Sequence, residues 1–197
     1  MFPCAQSVLG TSFIRYDPNP RWLRRWAFAL SRTRGARVSD QTSDTGRWDV
    51  RHRAREAALR ALYQLEVGGL ETAQAMALVE QEGDLEAVSL DVGTRAFAAR
   101  LVVGAWTNKT MLDAVIEPHC TNWRIERLAV LDRLVMRLAI HEWLVEPSTP
   151  PRVVLAEALE LARAYSGEQA VGFVNGVLDA VYHHLRAEGR IIDEPAQ

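Results

Sequence analysis

From Val50 onward, apolar residues recur at three- and four-residue spacing and no segment alternates at period two, so the pattern predicts helices throughout. Ala54, Ala58, Ala61, Leu62 and Leu65 form the first stripe, which Gly68 and Gly69 are expected to end. Further helices are predicted over 72–82, stopped by Gly83, then over 89–107 and 108–118. Residues 125–146 are apolar on most sides, through Leu128, Leu131, Leu134, Val135, Leu138, Ile140 and Leu144, as a central buried helix would be. Pro147, Pro150 and Pro151 break the chain, and the second pair opens a helix that runs to Ser166 and Gly167. The last helix, about 168–187, carries Val171, Val174, Leu178, Val181 and Leu185. The expected fold class is all-α, with about seven helices over 48–192 and a short tail at 193–197.

Residues 1–47 differ from the rest. Pro3, Pro18 and Pro20 interrupt the start, and TRGARVSDQTSDTG reads as linker, so an arginine-rich, disordered extension is expected. A targeting peptide, a basic arm that grips RNA, and a stretch the fold does not need all remain open for it. The net charge of −2 conceals this division. Eight arginines face Asp17, Asp40 and Asp44 in the first 47 residues, whereas the remainder is acidic. Lys109 is the only lysine, so basic contacts here are arginine contacts, suited to two-pronged grips on phosphate.

At 48% hydrophobic and 24% charged residues, the composition excludes a disordered or fibrous chain. No stretch approaches the ~18 apolar residues of a membrane span. Cys4 and Cys120 make neither a disulfide framework nor a C-x-x-C zinc site, which fits a reducing cytosol. Phosphate-loop, dinucleotide and nucleophile-elbow motifs are missing. His141-Glu142 fails as a zinc-protease signature because Val145 stands where the second histidine is needed. His119 and Cys120 lack nearby partners for a metal, and His183-His184 fits a helix end, where positive charge suits the dipole. No cofactor and no enzymatic chemistry are expected.

Two segments carry chemistry. In RHRAREAALRALYQLE, residues 51–66, Arg51, Arg53 and Arg55 crowd the start of the helix, where positive charge opposes the dipole and a phosphate backbone would benefit. Tyr63 points away from the apolar stripe, on the side of His52, Glu56 and Arg60, and offers a face on which a base can stack. A solvated basic helix end with an incidental tyrosine explains the same residues equally well. In EQAVGFVNGVLDAV, Phe173 lies at the edge of the stripe formed by Val174, Leu178, Val181 and Leu185. Gly172 and Gly176 cost roughly 1 kcal/mol each against alanine, which favours close packing of a neighbouring helix over approach of a ligand backbone.

Taken in order, RHRAREAALRALYQLE, EPHCTNW, LDRLVMRLAIHE and EALELARAYSGEQAVGFVNGVLDAV make the chain resemble the NusB family of transcription antitermination factors, from about Val50 to Arg190. The resemblance implies a compact domain of two packed helical bundles. It implies binding of single-stranded boxA RNA together with NusE, a small-subunit ribosomal protein, and modification of RNA polymerase so that it reads through terminators on ribosomal RNA operons. Arg51, Arg53, Arg55, Tyr63 and Phe173 match positions that contact RNA, and Asp132 matches an acidic position facing NusE. His119 stands where some members carry tyrosine, Gln169 where some carry aspartate, and His52 interrupts an arginine run. The implied protein is cytoplasmic and not an enzyme; whether it forms a homodimer stays open. A similar helical domain opens certain ribosomal RNA cytosine methyltransferases, whose α/β domain and catalytic cysteine are not found in this sequence. A helical regulator of duplex DNA is a third alternative, separable by its preference for paired strands.

Overall fold

The computed structural model describes residues 44–85, 91–121 and 123–191. Residues 1–43 and the predicted tail at 193–197 lie outside the described residues. The described residues hold seven α-helices and no strand: α1 (Asp44–Glu66), α2 (Thr72–Leu85), α3 (Val92–Thr107), α4 (Lys109–Ile116), α5 (Val130–Val145), α6 (Pro151–Tyr165) and α7 (Glu168–Ala187). Two short 3-10 turns, Glu117–His119 and Ile125–Arg127, link α4 to α5.

The helices pack as two bundles. In the first, α1 lies along α3 and α2 packs against both; in the second, α4, α6 and α7 surround α5. α5 also touches α1 and α3, and so joins the two. Ten consecutive residues of α5, Leu134 to Trp143, are buried, which no one-sided helix achieves. Three of them are polar, and each has a partner that makes burial tolerable. Arg137 meets Asp113 and Glu66, Glu142 meets Arg55, and His141 bonds to the backbone of Arg100. Close approach of α3 at His141 requires Gly104, where any side chain would run into the imidazole ring.

Several helix ends fall elsewhere than predicted. α1 begins at Asp44, two turns before the expected start, so Arg51, Arg53 and Arg55 sit within the helix and do not crowd its N-terminus. The argument that they oppose the helix dipole therefore fails, since the effect fades beyond the first turn. α2 runs through Gly83 to Leu85. α5 begins at Val130 because Leu128 and Ala129 are extended, although Ile125 and Leu128 are buried and mimic helical spacing. Between α6 and α7 the turn needs a backbone φ of 98°, which Gly167 adopts without strain.

Candidate functional site

The middle of α1 presents its arginines in different directions. Arg51 is half-buried, donates to Thr149 Oγ1 at 2.8 Å, and holds its guanidinium over the Phe97 ring, 5.1 Å from the centroid. Arg53 is half-buried as well. Arg55 is 1% exposed and grips the Glu142 carboxylate with both prongs, Nε to Oε2 at 2.8 Å and Nη2 to Oε1 at 2.6 Å. Its Nη1 stands 3.4 Å from Glu157. A guanidinium so enclosed cannot reach a phosphate on the surface, and the structure withdraws Arg55 from the implied RNA contacts. The sequence pattern hides this because the matching carboxylate lies 87 residues away on α5.

The next face of α1 is a polar seam with α6. His52 Nδ1 and Glu157 Oε2 are 2.7 Å apart. Tyr165 donates its hydroxyl to Glu56 at 2.9 Å and accepts from Arg60 at 3.3 Å. The Glu157 carboxylate raises the His52 pKa above its ordinary value. Burial would raise Glu157 itself, but His52 and the Arg55 charge outweigh it and hold the carboxyl below its usual range. Tyr63 extends this face by one turn. It does not stand clear of the fold: it is half-buried against the core, and burial raises its pKa.

Tyr165 closes α6, and α7 begins three residues later. Phe173 lies in the second turn of α7, eight residues beyond Tyr165. Phe173 is half-buried against the core. Gly172 and Gly176 flank it on the exposed side, and a Cβ at either would meet nothing within 4 Å. Close packing of a neighbouring helix, expected from these glycines, is thereby overturned. They leave α7 bare beside Phe173.

The remaining candidates lie apart. His119, in the first 3-10 turn, stacks at a tilt on His184 near the far end of α7, with ring centroids 5.4 Å apart. Burial and the neighbouring histidine lower its pKa. Asp132, in the first turn of α5, is half-buried instead of projecting outward, and its Oδ1 is enclosed without a hydrogen-bond partner. Phe97, Arg100 and Thr149, all near Arg51, were missed; an apolar helix residue, a surface arginine and a loop threonine carry no signal in one sequence. Among the described residues no group of three His, Cys, Asp or Glu side chains is placed to hold a metal. No described helix is long and apolar enough to cross a membrane.

The family model described as the NusB family matches residues 52–183. A transcription antitermination protein NusB from Symbiobacterium thermophilum is 39% identical over 139 residues, covering 69% of this chain and 91% of that protein. The corresponding protein of Sorangium cellulosum is 40% identical over 138 residues, covering 69% and 94%. Among solved structures, NusB of T. maritima superposes with a TM-score of 0.61 at 32% identity, over 71% of this chain and 95% of that one. A chain from a complex of the antitermination factors NusB and NusE with double-stranded RNA gives 0.61 at 29% identity, over 69% and 98%.

Proposed function

Because this chain belongs to the NusB family, we propose that it is a transcription antitermination factor that binds boxA RNA of ribosomal RNA transcripts together with NusE. In this role it modifies RNA polymerase, in the cytoplasm, so that transcription continues through terminators. The observation that carries this reading is the similarity to a chain solved with NusE and RNA, which extends over 98% of that chain. The curated relatives, matched over about nine tenths of their own length, are named antitermination proteins. That favours this reading over the front domain of an RNA methyltransferase.

Within it, Arg51 and Arg53 attract phosphates, while Tyr63 and Phe173 supply faces to bases and His119 adds a weaker, pH-sensitive contact. Asp132, half-buried in the first turn of α5, offers the part of its carboxylate that stays accessible to a basic group of NusE. RNA affinity measured for boxA-like and scrambled strands, with and without NusE, tests the reading. A preference for boxA that NusE strengthens is expected; equal affinity for both strands in both conditions would overturn it. Asp132→Lys should weaken NusE capture, most at low salt, and leave RNA affinity alone. Undiminished capture would remove Asp132 from that interface.

A further inference from the structure

α3 is apolar on two sides. Against α1, α2 and α5 it buries Phe97, Ala98, Leu101, Val102 and Ala105. With about 3.6 residues per turn, Val92, Ala96, Ala99, Val103 and Trp106 form a second stripe on the opposite side, within about 80° of arc. Val92 is 77% and Val103 42% exposed, Ala96 is exposed, and Ala99 and Trp106 are half-buried. A helix that is apolar all round is ordinarily enclosed on every side. Single surface valines need no explanation, but apolar residues in register along most of a helix make a continuous face.

The border of this face carries one sign of charge. Arg95 lies on one side of the stripe and Arg100 on the other. Lys109 adds a third positive charge at the C-terminal end, with its Nζ 3.7 Å from the centre of the Trp106 ring. α3 itself contains no Asp or Glu. Asp91, just before it, is committed to the N-cap, accepting from Thr94 N and Thr94 Oγ1. Glu146 holds Arg100 through Nε at 2.7 Å, and the arginine side chain stays 55% exposed. We infer that the outer face of α3 is a docking surface for an amphipathic helix of a protein partner, with acidic side chains bordering the apolar stripe of that helix. Apolar anchors spaced by three and four residues meet such a stripe one turn after another. The small side chains of Ala96 and Ala99 let the partner backbone come to roughly 8 Å, the short end of helix spacing. A second copy of this chain fits the face less well, because α3 laid on α3 sets arginines against arginines and brings no carboxylate of its own. RNA fits it less well too, since valine and alanine offer no ring for a base to stack on.

The probe is a labelled synthetic helix of the length of α3, with a leucine stripe bordered by glutamates, and a counterpart with lysines in place of the glutamates. The full chain should bind the glutamate peptide about tenfold more tightly than the lysine peptide, a preference that shrinks with added salt. Val103→Glu and Val103→Lys should each weaken the glutamate peptide about tenfold, because either charge enters the apolar contact. Both variants should melt like the parent, since Val103 is already exposed, and both should bind RNA as the parent does. Equal affinity for the two peptides, or no binding of either, would overturn the proposal. Tighter binding by Val103→Lys would overturn it as well, by showing that charge alone attracts the peptide. Sedimentation that reveals a dimer dissolved by Val103→Glu would give the face to a second copy, and a loss of RNA affinity in both Val103 variants would give it to RNA; either result overturns the assignment.

Discussion

Arg51 and Arg55 lie one helical turn apart on α1, and both place their guanidiniums over the same Phe97 ring, yet they occupy opposite physical situations. Arg55 faces the second bundle, is sealed from water, and is matched by two carboxylates. Arg51 faces a cavity and bonds to a neutral hydroxyl. The difference separates an arginine that holds the bundles together from one available to a ligand. An arginine-rich segment of this kind serves two purposes at once, and spacing along the helix does not distinguish them.

Stability should separate the two most sharply. Arg55→Ala strands the Glu142 carboxylate in the core and is expected to cost about 3–5 kcal/mol, the usual penalty for breaking a buried pair from one side. Arg51→Ala removes a hydrogen bond to the neutral Thr149 hydroxyl and should cost within about 1 kcal/mol. Urea denaturation of both variants checks this, and comparable losses would erase the distinction. RNA binding should reverse the order. Arg51→Ala is expected to flatten the salt dependence by about 0.7 for each phosphate of a single strand that the variant no longer neutralises. Arg55→Ala should leave that slope unchanged once affinity is corrected for the folded fraction.

Tyr63 sharpens the same comparison on the seam with α6. As a stacking platform, its replacement by alanine should cost roughly 1–3 kcal/mol of RNA affinity with the salt slope intact. Its half-burial against the core means that a melting temperature must be measured beside it. A destabilised variant with parental affinity, after correction for folding, would move Tyr63 from the binding face to the packing.

Helix existence was legible because burial on one face leaves a 3.6-residue imprint, as in the stripe from Ala54 to Leu65. Ends were less so. Ile125 and Leu128 are buried from a 3-10 turn and an extended residue, and a short sequence window cannot tell these from a helix. The site was legible only as residue types. What Arg55 touches depends on Glu142, which lies on α5, the fourth α-helix after α1. The openness around Gly172 and Gly176 depends on which helices stay away from α7. Neither is a local property of the sequence.

The smallest expected effect concerns His52, which stands between Arg51 and Arg53 on α1. An arginine there would keep its charge beside Glu157 through the neutral range, whereas the imidazole carries a charge only below its own pKa and, once neutral, can hold Glu157 only by an Nδ1–H hydrogen bond. The charged and titratable groups around it are Glu157 from α6 and Glu56 and Arg55 from α1. Because the folded pKa of His52 is raised above its ordinary 6.5, its contribution to stability is complete below that value and fades as pH rises through the folded pKa. Glu157 is lowered from 4.5, so its contribution holds above that value and fades as pH falls through its own folded pKa. The pair therefore contributes most between the two ordinary values. His141 and His119, whose pKa values are lowered, act in the opposite sense: they favour the fold as pH rises and lose that contribution on acidification. Total stability consequently mixes both signs, and only a difference between variants isolates the seam. His52→Gln should remove a decline of less than about 1 kcal/mol between about pH 6 and pH 8, the scale of a partly exposed pair. Urea midpoints at the two pH values, for parent and variant, give that difference directly. Parallel changes in both proteins would show that His52 contributes nothing to the pH dependence and that Glu157 is held by Arg55 alone.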